Sequence, residues 1–522
     1  MMYIPAMPHR STSLFAGDRE RAVTTALAEL TWCNPFEPRR IELERVALGE
    51  RFIAHDAVWH ERGEASSSPN LDALESAAGE LSELLGRRLG ERGGCPAEEA
   101  RLYRDLVLYL QFNRHEPEFK ALAIAAEEEG RTRSTFRGWG ELQRQLGLCL
   151  APLTGRHAAL AREVDAAHLV ACFFQVRRAF HLIFRFILGG SAVTARLRAE
   201  VWHSIFGHDM RRYHRALHAA IGDITTLITG PSGTGKEVVA RAVALSRYLP
   251  FNPASATFEG VAERLFVPLN LSALSPTLIE SELFGHKRGA FTGAVADRTG
   301  WLESCPLHGT VFLDEIGEVS PEIQVKLLRV IESRSFERLG DNQPRRFAGK
   351  LVAATNRDLD REMQRGGFRQ DLYYRLCGDL IRTPSLRARL DSDAGELHHL
   401  VVFLARRAVG AEEAPALARE VEAWVERELG ADYPWPGNVR ELDQCVRNIL
   451  LRREYRPPAA VPEAADPARR LADDVAAGRL DLGELTARYA ALVYRREGGW
   501  TAAGRRLGAD RRTVKRWVEE AG

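Results

Sequence analysis

The sequence predicts a chain of three parts: a mostly α-helical N-terminal region, a central α/β domain on a parallel sheet, and a small all-α C-terminus. Three observations predict it. Up to about residue 195 apolar residues recur at helical spacing. From Ile224 short β-rich runs alternate with helical ones, the pattern of parallel strands joined by crossover helices. A Pro/Ala-rich stretch, Arg456 to Ala468, then separates this domain from a short helical end and reads as a linker.

In the first region helices are expected over Leu71 to Leu89 and Glu98 to Phe112, with loops at Glu64 to Asn70 and Gly90 to Pro96. The most apolar stretch, Leu169 to Leu188, includes Arg177, Arg178, His181 and Arg185. Each arginine at membrane depth would cost about 2.5 kcal/mol or more, so this is a buried or interfacial helix and no membrane partner is expected. Gly189-Gly190-Ser191 breaks it and marks a hinge before a second amphipathic segment, Ala195 to Ile205. Strands follow at Thr226 to Thr229, Phe266 to Leu269, Thr310 to Leu313 and Lys350 to Ala354.

Length allows roughly three domains. Net charge is +1, from 72 basic and 71 acidic residues, so any nucleic-acid contact must come from a local patch. Seven scattered cysteines form no CxxC pair and fit a reducing cytoplasm better than a disulfide framework. The first twenty residues hold no apolar core of the secretory kind, which gives a cytoplasmic expectation.

Gly230-Pro231-Ser232-Gly233-Thr234-Gly235-Lys236-Glu237 follows an apolar strand and opens a helix, Val238 to Tyr248, the context a phosphate-binding loop requires. Backbone N–H groups of such a loop wrap the phosphates, and Lys236 supplies charge at the β and γ positions. The strict pattern ends in Ser or Thr where Glu237 stands, so the magnesium-binding hydroxyl is missing. A later strand, Val311-Phe-Leu-Asp314-Glu315, ends in two carboxylates. Asp314 is placed to hold Mg²⁺ through its water shell and Glu315 to polarise an attacking water, so ATP and Mg²⁺ are the expected ligands.

Between these motifs lies Gly289-Ala290-Phe291-Thr292-Gly293-Ala294. Glycine costs about 1 kcal/mol inside a regular element, so two within five positions point to a mobile loop presenting Phe291 and Thr292. As a bare hexapeptide it is equally a turn with Phe291 tucked into the core.

The run from Leu227 to about Leu386 resembles the AAA+ core of sigma-54-dependent transcriptional activators, through LNLSALSPTLIESELFGHKRGAFTGA, GTVFLDEIGEVSPEIQVKLLRVIE, LVAATNRDL and FRQDLYYRL, with PWPGNVREL later. The resemblance implies a P-loop ATPase with a helical lid, divided as 1–195 regulatory region, 196–387 α/β subdomain, 388–455 lid, 456–480 linker and 481–522 DNA-binding domain. A glutamate at position 237 is that family's usual form, whereas Pro231 and the LRARLDSDAGELHHL run after Leu386 depart from its pattern. Asn270 is implied as a switch coupled to Glu315. Thr355 and Asn356 stand at the sensor I position, Arg440 at sensor II, and Arg369 and Arg375 resemble fingers that reach a neighbouring subunit's nucleotide, which requires a ring, a hexamer by resemblance. The hexapeptide is then the contact to sigma-54 RNA polymerase holoenzyme. A different AAA+ machine and a non-hydrolytic DNA-binding regulator are the rival readings.

Thr501 to Gly508 and Asp510 to Trp517 read as helix, glycine-containing turn and helix, with Thr501 and Asp510 as N-caps. Leu507, Val514 and Trp517 can face a core, leaving Arg511, Arg512, Thr513, Lys515 and Arg516 for upstream DNA. This end resembles the Fis-type helix-turn-helix, and the preceding helix, Leu482 to Arg496, is the expected dimerisation element. His214 and His218, four residues apart on an expected helix, could hold a metal, but no third ligand is visible in the sequence and a basic helix face is the preferred reading.

Overall fold

The computed structural model describes residues 13–55, 69–128, 135–259, 265–457, 467–476 and 478–520. They divide into two compact units, 1–451 and 452–522.

The first unit begins with helices α1 (Asp18–Leu30), α2 (Arg39–Leu48), α3 (Pro69–Arg92), α4 (Ala97–Glu128) and α5 (Trp139–Leu150). Most of the loop expected at Glu64 to Asn70 lies outside the described residues, and α3 runs through Arg92 into the second expected loop. Two further helices, α6 (Ala166–Phe186) and α7 (Ala192–Phe206), carry the chain onward. Asp165 caps α6 by accepting from the backbone N–H groups of Ala167 and His168 at 2.9 and 3.3 Å, and Ser191 caps α7.

The N-terminal core does not end with these helices. Leu27, Leu74, Leu106, Phe119 and Phe136 share one cluster with Leu249, Phe251, Phe258 and Leu265 of the central domain. Phe258 stacks on Phe174 at 4.0 Å between ring centroids, and Phe136 N–H donates to the Ala256 carbonyl at 2.8 Å. Aromatic side chains bury about 150–250 Å² each, so this seam is apolar and continuous. The division expected between 195 and 196 accordingly falls inside α7.

The hinge expected at Gly189-Gly190 is a clamp. The fully buried Glu396 carboxylate accepts from the backbone N–H groups of Gly190 and Ser191 at 2.6 and 3.0 Å, from the Thr194 hydroxyl at 2.9 Å and from Arg389 at 2.7 Å. A Cβ at Gly189 would overlap Glu396 and Arg389, so the glycine is there for close approach.

The central sheet has five parallel strands: β1 (Thr226–Thr229), β2 (Phe266–Asn270), β3 (Thr310–Asp314), β4 (Lys350–Thr355) and β5 (Asp379–Arg382), in the order β5-β1-β4-β3-β2. Near-continuous Val, Leu, Phe and Ala in β3 and β4 fit strands buried on both faces. Helix α8 (Lys236–Leu245) follows β1 and packs Val239, Ala240 and Val243 into a core with Ile228, Phe312 and Val352. Helices α9 (Pro276–Phe284), α10 (Pro321–Ser333), α11 (Leu359–Gln364) and α12 (Gln370–Leu376) complete the domain. Register places Asn270 beside Asp314 and Thr229 beside Thr355, so these side chains converge at the carboxyl ends of the strands.

Four helices close the unit: α13 (Leu386–Ser392), α14 (Glu396–Val409), α15 (Ala414–Glu428) and α16 (Asn438–Arg452). The expected 387/388 boundary lies inside α13.

The second unit holds α17 (Pro467–Ala476), α18 (Leu482–Glu497), α19 (Trp500–Leu507) and α20 (Arg511–Glu520). Residues 458–466 of the expected linker lie outside the described residues, and α17 makes part of its remainder helical. A capping box between Asp481 and Glu484 starts α18, and Gly498 and Gly508, both left-handed, end α18 and α19.

Candidate functional site

The phosphate-binding loop is built from glycines that no other residue replaces freely. Gly230, Gly233 and Gly235 all have positive φ, and Cβ atoms at the first two would overlap Thr383 and Gly437 respectively. Thr234 is buried, its hydroxyl donating to the Pro231 carbonyl at 2.8 Å and lying 2.7 Å from that of Thr383. Lys236 folds back over the loop, its ammonium 3.0 and 3.2 Å from the Gly230 and Pro231 carbonyls. Burial holds this ammonium below its ordinary pKa, against the opposing pull of Glu315 and Asp314. Glu237 points outward and pairs with Arg241 at 3.0 Å.

Asp314 and Glu315 end β3 at the same rim. Burial, then the neighbouring Glu315 charge, hold Asp314 above the ordinary carboxylate range, while the Glu315 N–H, donating to it at 3.0 Å, and Lys236 oppose. A carboxylate disfavoured in this way gains from a hard cation beside it, and oxygen donors suit Mg²⁺, so the residues fit that ion. Glu315 has φ of 56°, a left-handed conformation rare outside glycine, which turns its carboxylate to accept from the Asn356 N–H at 3.3 Å. Asn270 does not hold Glu315 here. Its side-chain oxygen instead accepts from the Ser272 backbone and hydroxyl at 3.0 and 2.8 Å, capping the next turn. Thr355 is buried behind them, accepting from the Arg357 N–H at 3.0 Å.

The lid touches this loop directly. Val439 N–H donates to the Gly233 carbonyl at 3.1 Å, the Asn438 amide to the Ser232 carbonyl at 2.9 Å, and the Arg440 guanidinium to the Ser232 hydroxyl at 3.3 Å. Asn438, whose role no local spacing indicates, is buried at φ 53° and also accepts from the Leu386 N–H at 2.8 Å. Arg369 and Arg375 stand apart, exposed and paired with Asp371 at 2.7 Å and Glu332 at 3.1 Å.

The hexapeptide crowns a small hairpin, Gly285–His286 against Arg298–Thr299. Gly289 N–H donates to the Ala294 carbonyl at 2.8 Å and Ala294 N–H to that of Phe291 at 3.0 Å, a tight turn with Gly289 and Gly293 at φ 83° and 102°. Lys287 and Asp297 pair at its base at 2.8 Å. Thr292 is exposed, whereas Phe291 is half-buried with its ring 5.0 Å from that of His286, so the aromatic is held against the loop's stem rather than extended from it.

At the other end of the chain, Val493, Ala503 and Val514 form a core joined by Leu507 and Trp517. The α19 N-cap is Gly499, so Thr501 sits inside the helix and caps nothing. Asp510 does cap α20, accepting from Arg512 and Thr513 N–H at 2.8 and 3.1 Å, and also holds the Thr513 hydroxyl at 2.6 Å. Arg511, Arg512, Lys515 and Arg516 are exposed.

Residues 207–381 match the family described as the sigma-54 interaction domain. The central region of the chain is thus similar to that domain. Over 253 residues it is 44% identical to the Nif-specific regulatory protein of Azotobacter vinelandii, covering 48% of this chain and 44% of that protein. Over 301 residues it is 40% identical to the transcriptional regulatory protein ZraR of Salmonella typhimurium, covering 56% and 63%. The chain thus spans about half the length of these curated relatives. A solved structure of NtrX from Brucella abortus aligns with a TM-score of 0.38 at 23% identity, covering 69% of this chain and 76% of that one. Among the described residues no helix is long and apolar enough to cross a membrane.

Proposed function

We propose that this sigma-54-family protein hydrolyses ATP to remodel the sigma-54 RNA polymerase closed complex through the Phe291 loop, while its C-terminal helices bind upstream DNA. The observation that carries the reading is the hexapeptide hairpin in the same domain as a glycine loop, Lys236 and the Asp314-Glu315 pair. The loop N–H groups and Lys236 cradle the phosphates, and Asp314 holds Mg²⁺ through water. When bound, the ion neutralises charge on the β and γ oxygens. Glu315 orients the attacking water, and its contact with Asn356 N–H makes the sensor strand responsive to what it holds. Thr355 backs that strand, Asn270 is one side-chain rotation from leaving its own turn, and Arg440 reports nucleotide to the lid.

Arg369 and Arg375, facing away from their own loop, complete a neighbour's site in a ring assembled from dimers, a hexamer by family likeness. Exposed ion pairs contribute about 0–1 kcal/mol, so both arginines are released from their acidic partners cheaply. In the DNA-binding unit Arg511, Arg512, Lys515 and Arg516 supply phosphate and base contacts, with Thr513 positioned by its own cap. Residues 1–195 form the regulatory region.

The test is open-complex formation on a sigma-54 promoter with ATP, comparing the wild type with Thr292→Ala. The wild type is expected to open the promoter, and the variant to hydrolyse ATP without opening it. A variant that opens the promoter as the wild type does would remove the loop from the mechanism, and a Glu315→Gln protein retaining full activation would remove hydrolysis.

A further inference from the structure

The histidines left over from the sequence have partners that only the fold reveals. Helix α6 places His168 and Cys172 one turn apart on one face, with the Cys172 sulfur 3.6 Å from His168 Nε2. A single turn of π-helix, Tyr213–Leu217, then sets His214 and His218 against them, their ring centroids 4.7 and 4.4 Å from that of His168. Such turns sacrifice hydrogen-bond geometry and recur at functional sites. One ligand atom from each of His168, Cys172 and His214 lies within 4.8 Å of the others.

We propose that His168, Cys172, His214 and His218 bind a zinc-class divalent cation that ties α6 to the segment leading into β1. The inference is independent of the sigma-54 reading. A tetrahedral zinc ion, with nitrogen at about 2.0–2.1 Å and sulfur at about 2.3 Å, spaces its ligands about 3.3–3.7 Å apart, so binding draws His168, Cys172 and His214 inward by about 1 Å, with His218 turning in from beside His168 as the fourth ligand. Three imidazoles and one thiolate with no carboxylate among them favour such an ion over calcium or magnesium.

The surroundings support it. Burial, reinforced by the neighbouring histidines, lowers His214 to about 4 and holds His218 below its ordinary value, leaving neutral rings with a free lone pair. Burial also keeps the Cys172 thiol protonated, and a coordinated cation displaces that proton. His214 Nε2 is buried with no hydrogen-bond partner. His218 Nδ1 lies 3.2 Å from the Tyr213 carbonyl, a contact that leaves its Nε2 for the ion, and His168 Nδ1 lies 2.9 Å from the Tyr248 hydroxyl. Binding exchanges the 2.8 Å contact of His168 Nε2 with the His214 carbonyl for the metal. A cavity of about 290 Å³ lined in part by Tyr213, His218 and Tyr248 gives a route in.

Titration of the untagged full-length chain with Co²⁺, followed by Zn²⁺ competition, tests the site. The expected result is stoichiometric binding with a sulfur-to-cobalt charge-transfer band and the visible spectrum of tetrahedral cobalt, both erased by zinc. Cys172→Ser loses the charge-transfer band, His214→Gln weakens binding by more than about 100-fold, and His218→Gln weakens it about tenfold. Zinc X-ray absorption on the wild type, which does not depend on any variant folding, is expected to show one sulfur and three nitrogens around the ion. An all-oxygen environment, absence of the cobalt bands, or a folded His214→Gln protein binding within about threefold of the wild type overturns the proposal.

Discussion

Helix α8 begins and ends in opposite chemistry. At its first turn stand left-handed glycines and Lys236, the set proposed above to cradle phosphate. Just past its last turn the orphan carbonyls are already satisfied by the N-terminal region: Gln175 donates to the Ser246 carbonyl at 2.9 Å, and the buried Arg178 guanidinium donates to that of Arg247. A cation at a helix C-terminus also meets the favourable end of its dipole. One end carries the glycine loop, and the other is sealed by the chain's own side chains. The contrast teaches that the two ends fail differently: changes at the rear should cost stability, and changes at the front should cost turnover.

The largest stability effect is expected at a third place, the Glu396 clamp on Gly190 and Ser191. Glu396→Ala strands Arg389 in a buried site and unbonds two backbone N–H groups, so equilibrium unfolding in urea should show a loss of about 3–5 kcal/mol. Burial raises the Glu396 pKa, but Arg389 and the donated hydrogen bonds outweigh it and leave the group below its ordinary 4.5. A carboxylate lowered by folding contributes stability above its unfolded pKa and loses it as pH falls through the folded one. Wild type and variant should therefore differ fully at pH 7 and converge as pH drops below about 4.5. A gap under about 1 kcal/mol at pH 7 would mean the joint is not held here.

A smaller effect is expected at the seal itself. Gln175 also accepts from the buried Tyr213 hydroxyl at 2.8 Å, so Gln175→Ala leaves two buried groups unpaired and should cost about 1–3 kcal/mol. Nucleotide affinity, read by fluorescent-analogue titration, should stay unchanged if the ends of α8 are independent. A parallel loss of affinity would join them, and α8 would then carry signals from the N-terminal region to the phosphates.

How far each end was legible follows from the same contrast. The front is written in residues adjacent in sequence, because a loop that cradles phosphate needs its glycines and lysine within one turn, and Asp314-Glu315 closes one strand. Four of the five strands could be read for a similar reason, as short apolar runs between helical ones, whereas β5, Asp379–Arg382, carries charge at both ends and was not. The rear seal joins Gln175 to Ser246 and Arg178 to Arg247, and the clamp joins Gly190 to Glu396, partners 69 to 206 positions apart, and no local spacing announces such contacts. Gly189-Gly190 read as a hinge because glycine permits both freedom and close approach, and only the position of Glu396 decides between them. His214 and His218 lacked a third ligand for the same reason, since His168 and Cys172 lie more than forty positions earlier. Phe291 was ambiguous locally, and His286, five residues before it, settles where the ring rests.

The smallest stability effect is expected at Arg375, and it separates fold from function most sharply. Arg375 is exposed, and its pair with Glu332 is exposed too, so Arg375→Ala should shift unfolding by no more than about 0.5 kcal/mol. If its guanidinium completes a neighbour's site, ATP turnover should nevertheless fall by about 10³-fold or more. The decisive version mixes two inactive proteins. Arg375→Ala keeps a sound phosphate loop, and Lys236→Ala keeps a sound finger, so rings containing both recover turnover only where a Lys236-intact subunit faces an Arg375-intact neighbour. Recovery above either protein alone places the arginine in trans. No recovery from mixed rings, with the single variants still folded, would return Arg375 to the surface it occupies in the monomer and leave the nucleotide site to be completed from within one chain.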